Sequence, residues 1–134
     1  MLKKTITFTD YNGNERTEDF YFNLSKAEIM EMELSIVGGL AEAIQRVVKS
    51  QDGPSIIKFF KDIVLKAYGE KSPDGRRFMK EDENGVKLYK NFEQTEAYAI
   101  LFTELATNAE AAAAFINGIV PADMNKNVAS LPKN

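Results

Sequence analysis

The sequence predicts an α+β domain, mostly α, with an N-terminal β-hairpin followed by four to five packed helices. Three observations predict it. An Asn12-Gly13 step separates two alternating runs. Ser25-Lys26-Ala27-Glu28 fits the capping box that starts a helix. Most of the remaining chain repeats its apolar residues at helical spacing.

The hairpin is expected over residues 4–22. Ile6 and Phe8 share one face of the first run, with threonines on the other, and Phe20 and Phe22 share a face of the second. Asn12-Gly13 supplies the two positive-φ positions of a type I′ turn. A lone two-stranded hairpin is marginal, so its aromatic face must pack on something.

Helix one is expected at about 26–36, with Ser25 as N-cap, Glu28 reaching back, and Leu24 and Ile29 as hydrophobic staple. It carries two apolar stripes. Ala27, Met30, Leu34 and Val37 form one; Ile29, Met32 and Ile36 form the other, roughly 150° around. A helix apolar on two sides is either sandwiched in the fold or offers one side to a partner. Gly38-Gly39 ends it.

Helix two, about 40–50, places Leu40, Ile44, Val47 and Val48 on one stripe. Asp52-Gly53-Pro54 restarts the chain into helix three, about 54–68, with Ile56, Phe60, Ile63, Val64 and Ala67 facing inward. Residues 69–90 are polar and read as a loop, with Ser72-Pro73-Asp74-Gly75 as a type I turn and a short second hairpin around Asn84-Gly85. Helix four, about 94–106, aligns Tyr98, Leu101, Phe102 and Leu105. Helix five, about 108–117, starts at a Thr107-to-Glu110 capping box and ends at Gly118. Beyond Pro121 the chain turns polar and aperiodic. The expectation is one domain over 1–121 and a disordered tail over 122–134.

Composition narrows the chemistry. The 134 residues suit one domain, and the chain contains neither cysteine nor histidine. Thiolate chemistry, Cys/His zinc sites and imidazole-based nucleophile systems are therefore excluded. A net charge of −3, from 17 basic and 20 acidic residues, argues against nucleic acid as a partner. No apolar run approaches the ~18 residues of a membrane span, so no membrane partner is expected. Lys3-Lys4 leads into an alternating run rather than an apolar core, so no signal peptide is expected.

Candidate sites are few. Asp82-Glu83-Asn84-Gly85 fails as a calcium loop: with Gly85 as turn glycine, Lys80 and Asn91 fall where ligands belong. Glu28 is committed to a cap, and Glu33 points about 160° away from Glu31, so no carboxylate pair forms for acid–base work. There is no glycine-rich phosphate loop. The sequence thus predicts no catalytic, cofactor or metal site and no enzyme activity. Arg76-Arg77, with Lys71 and Lys80 nearby, could grip an acidic partner; the alternative is a solvated loop balanced by the acids that follow.

The stretch from Thr7 to Leu24, TFTDYNGNERTEDFYFNL, resembles the opening of the tail assembly chaperones of long-tailed phages and prophages of Gram-positive bacteria. The similarity continues through Gly39-Leu40-Ala41-Glu42, the run from Ala67 to Phe78 and Gln94-Thr95-Glu96-Ala97-Tyr98, and ends near Phe115 to Pro121. The resemblance implies a factor in the host bacterial cytoplasm that binds the tape-measure protein and recruits tail-tube subunits. A longer form made by ribosomal frameshifting is a further implied partner. The alternatives are a structural tail component retained in the virion, or a small phage regulator of a host protein. A tube subunit should be richer in strand than this sequence reads.

For a chaperone, the expected working surface is the second stripe of helix one, Ile29, Met32 and Ile36, kept soluble by Glu28, Glu31 and Glu33, together with Arg76 and Arg77. The competing reading is that the hairpin's aromatic face covers one stripe of helix one and helices two to five cover the other.

Overall fold

The computed structural model describes residues 1–35, 39–50 and 52–121; Ile36 and the tail 122–134 lie outside the described residues. Strands β1 (Leu2–Thr9) and β2 (Glu15–Phe22) form the hairpin, in continuous register from Leu2↔Phe22 to Thr9↔Glu15. The turn is not type I′. Gly13 N–H donates to Asp10 O at 3.0 Å, Asp10 N–H donates to Asn14 O at 2.8 Å, and Gly13 has φ 84°. This is a type I turn over Tyr11-Asn12 closed by a left-handed glycine, the three-residue hairpin loop. Asp10 selects it. Its Oδ1 accepts the N–H groups of Asn12 and Asn14, both at 2.9 Å, and its Oδ2 accepts from Arg16 Nε at 2.6 Å.

Helix α1 (Lys26–Ser35) starts at the expected box: Glu28 N–H donates to Ser25 Oγ at 3.1 Å and Ser25 N–H to Glu28 Oε1 at 2.9 Å. α2 (Gly39–Ser50) and α3 (Gly53–Ala67) follow, α3 with Pro54 in its first turn.

The fold class then needs correcting. The hairpin is only half of a four-stranded antiparallel sheet in the order β1-β2-β3-β4, with helices on either side of its last two strands in sequence. β3 (Tyr68–Lys71) leaves α3 without a loop and pairs with β2 at Tyr21↔Gly69 and Phe22↔Tyr68. β4 (Phe78–Met79) returns along β3. These strands have four and two residues, too short to alternate visibly, and one contains a glycine. That glycine is required by contact. A Cβ on Gly69 would lie 2.7 Å from Met79 O and 2.6 Å from the Phe78 ring. The expected second hairpin is present, with a bridge at Glu81↔Lys87.

A single turn, α4 (Tyr89–Phe92), leads into α5 (Glu96–Thr107) and α6 (Ala109–Ile119). α5 begins two residues later than expected because Thr95 Oγ1 caps it, accepting from Tyr98 N–H at 3.2 Å. α6 is capped by Asn108, whose Oδ1 accepts from Ala111 N–H at 3.1 Å. Thr107 instead donates its hydroxyl back to Thr103 O, and α6 continues through Gly118 to Ile119. Among the described residues no single helix is long and apolar enough to cross a membrane.

The core gathers around Phe22, which is fully buried. Its ring meets Tyr68 at 5.8 Å, Phe92 at 5.7 Å and Phe115 at 5.2 Å. Phe92 stacks flat on Tyr68 at 4.4 Å. Strands, the one-turn α4 and α6 are thus joined through aromatic side chains, of which the buried Phe22, Phe92 and Phe115 each contribute about 1.5–3 kcal/mol by burial.

Candidate protein-binding surface

The β3–β4 turn is built by one serine. Ser72 is buried, donates its hydroxyl to Asp74 Oδ1 at 2.6 Å and accepts from Arg77 N–H at 3.0 Å. Backbone bonds from Ser72 N–H to Arg77 O and from Gly75 N–H to Ser72 O, both 2.9 Å, close the turn. Asp74 Oδ1 also accepts from Arg76 N–H at 3.1 Å. The Ser72 hydroxyl, and after it the Arg76 N–H, hold the Asp74 carboxyl below the usual range. Arg76 and Arg77 are therefore exposed on an ordered tip, and neither makes an ion pair among the described residues. Lys71, at the base of the tip, lies 4.6 Å above the Tyr21 ring.

At the other end of β4, Lys80 closes a cleft of about 330 Å³. Leu65, Tyr68 and Tyr89 give it an apolar floor, while Asp62, Lys66 and Lys87 stand at its rim. Lys80 is not available to a ligand. Its Nζ donates to Asn23 O at 2.9 Å and Lys66 O at 2.6 Å and lies 3.1 Å from Glu28 Oε2. Burial pushes its ammonium down from the ordinary lysine range, and Glu28 partly restores it. Lys87 is held by Glu81. Burial, assisted by the Glu70 and Glu18 carboxylates, pushes the Tyr68 phenol up to about 12. This arrangement can receive an apolar or aromatic side chain beneath a mixed-charge rim. Its described lining residues include no serine, threonine or cysteine.

The family model for phage tail assembly chaperones matches the chain over residues 1–133. The chain belongs to that family. No curated protein and no solved structure matches it.

In this tail assembly chaperone the sequence-predicted site residues do not form one surface. Ile29 and Met32 are core residues, 2% and 8% exposed. Of the other stripe, the described residues Ala27 and Met30 face solvent, Met30 being 59% exposed. The staple sets this rotation: Leu24, pinned by its N–H to Ile119 O at 2.7 Å, is fully buried and draws Ile29 in with it. Ile36 lies outside the described residues. Arg76 and Arg77 stand where a partner can reach them. The acids read as a failed calcium loop belong to a turn, with Asp82 Oδ1 accepting from Asn84 and Val86 N–H at 2.8 and 2.9 Å. Sequence reasoning missed the cleft, because Lys80, Tyr68 and Tyr89 come from segments with no shared periodicity.

Proposed function

We propose that the protein is a non-catalytic chaperone of phage tail assembly, acting in the host cytoplasm with residues 1–121 as its folding unit. In this reading it binds the tape-measure protein and recruits tail-tube subunits to it. The family match along nearly the whole chain carries the reading. The ordered tip supports it further: two guanidiniums that make no ion pair among the described residues, displayed by a hydrogen-bonded hairpin, suit acidic positions on a long helical client. The cleft at the far end of the same hairpin adds an apolar socket.

Co-expression with the tape-measure protein of the same phage tests the proposal. Wild type is expected to keep the client soluble and to co-purify with it and with tube subunits. It is also expected to be missing from finished particles by mass spectrometry. A client equally insoluble with and without this protein overturns the chaperone reading; stoichiometric retention in particles makes it a structural component. The double variant Arg76→Glu/Arg77→Glu locates the contact: it is expected to fold as wild type and to lose the client.

A further inference from the structure

Among the described residues, the outer edge of the sheet is open. Asp10 N–H donates to Asn14 O, and the β1–β2 register pairs even with even residues, so Leu2, Lys4, Ile6 and Phe8 exchange their backbone hydrogen bonds with β2. Lys3, Thr5, Thr7 and Thr9 therefore point their N–H and C=O groups away from the sheet. β1 is the terminal strand, and among the described residues no other backbone group bonds to these four. The edge is eight residues long, with no proline and no bulge. Natural edges of this kind are normally shortened, bulged or charged; here the charges are Lys3 and Lys4, both at the start of the strand, and Lys4 is paired with Glu104.

α5 runs beside this edge, antiparallel to β1. Lys4 Nζ lies 3.3 Å from Glu104 at one end, and Tyr11 OH donates to Glu96 at 3.2 Å at the other. Between them lies a groove of about 160 Å³, with Lys4 to Thr7 on one wall and Ile100, Leu101 and Glu104 on the other. Ile100 is 45% exposed there, a large apolar side chain left half in solvent among the described residues.

We propose that a second copy of this chain occupies the edge, with β1 pairing antiparallel to the partner's β1 about a two-fold axis at Ile6. In that register Thr5 faces the partner's Thr7 and Lys3 faces the partner's Thr9. All four outward-facing residues are then paired, with roughly eight new backbone hydrogen bonds. No like charges oppose: Lys3 meets threonine, and Lys4 meets the partner's Phe8. The threonine pairs are favourable cross-strand neighbours. The axis also explains Ile100. It lines the groove beside Ile6 and Thr7, so its exposed side chain meets the partner's Ile100 across the dyad. An extended client strand would satisfy the same N–H and C=O groups but would bring no α5 to cover Ile100.

Sedimentation equilibrium and hydrogen exchange on the full chain test this. Wild type is expected to approach twice the chain mass at concentrations on the order of 100 µM. The amides of Thr5 and Thr7 should gain protection with concentration, while those of Ile6 and Phe8 are protected at every concentration. Thr7→Pro removes an outward N–H and the Thr7–Thr17 hydroxyl bond but no β1–β2 backbone bond, and should weaken association ~10-fold or more. Ile100→Lys gains Glu96 and Glu104 as helix neighbours yet meets its own charge at the dyad, and should do the same. If Thr7→Pro fails to fold, Ile100→Lys and the exchange pattern still decide. A wild-type chain that stays monomeric, a dimer that both variants retain, or Thr5 and Thr7 amides protected only by added client each overturn the proposal.

Discussion

Glu28 Oε2 lies 3.1 Å from Lys80 Nζ while its Oε1 accepts the N–H of Ser25 at 2.9 Å, so one carboxylate both caps α1 and ties it to the end of β4. The ammonium also donates to Asn23 O after β2 and to Lys66 O in the last turn of α3. A cation there complements the negative end of the helix dipole. Four segments of the chain meet at one side chain. Lys80→Met keeps the packing of the stem and leaves two carbonyls without a donor. It should destabilise the fold by about 1–3 kcal/mol. Calorimetry then shows a melting temperature several degrees lower; an unchanged melt removes the latch from the account of stability.

Tyr68 makes alkaline pH a second probe. Its folded pKa is pushed up to about 12, above the unfolded value of 10.0. Between those values the folded chain keeps a proton that the unfolded chain has lost, so the stabilisation present below pH 10 drains away as pH rises toward 12. Lys80 has the opposite sign: its folded pKa lies below 10.5, so in its window stability rises with pH. Tyr68→Phe keeps the stack on Phe92 and removes only the first contribution. Urea unfolding at stepped pH should show the variant losing less stability than wild type between pH 10 and 12. Parallel curves would mean that the phenol is not desolvated in solution.

The strength of each sequence signal follows from its range. The Ser25–Glu28 box and the inward stripe of α3 are local; the box forms as spaced, and Phe60, Ile63, Val64 and Ala67 of the stripe are buried, with Ile56 half-buried and Leu65 added to it. The Asn12-Gly13 turn was legible as a turn, but Asp10 chose its type through side-chain bonds that a dipeptide preference does not encode. β3 and β4 were illegible because their pairing is set by contact: Gly69 looks like a breaker until Met79 O is seen against it. For the candidate site, the exposure of Arg76 and Arg77 was readable from their polar surroundings. The rotation of α1 was not, since two stripes of similar apolarity compete and only the buried Leu24 decides between them.

Gly69→Ala tests the corrected sheet. The added methyl would sit 2.7 Å from a backbone oxygen, which cannot turn aside as a side chain can. β4 must move off β3, loosening the segment that leads into Lys80. The expected cost is about 2–4 kcal/mol, in the range for overpacking with backbone shift. Chemical denaturation measures it, and a cost below about 0.5 kcal/mol, typical of a surface change, would show that β4 does not lie where described.

Two methionines on α1 separate its core face from its free face. Met32 is 8% exposed and packs in the core beside Ile29, whereas Met30 is 59% exposed. A glutamate at Met32 would place an unpaired carboxylate among apolar groups, costing ~3 kcal/mol or more and threatening the fold. A glutamate at Met30 stays in water and should change stability by no more than about 0.5 kcal/mol. The pair also locates client binding. Loss of the client in Met32→Glu reports only unfolding, which circular dichroism on the same sample detects. Met30→Glu leaves the fold intact, so its effect on client solubility reads out the exposed face of α1 directly. With the contact at Arg76 and Arg77, Met30→Glu should hold the client as well as wild type does. If it releases the client while remaining folded, the exposed stripe of α1 is the client surface and the hairpin tip is not sufficient.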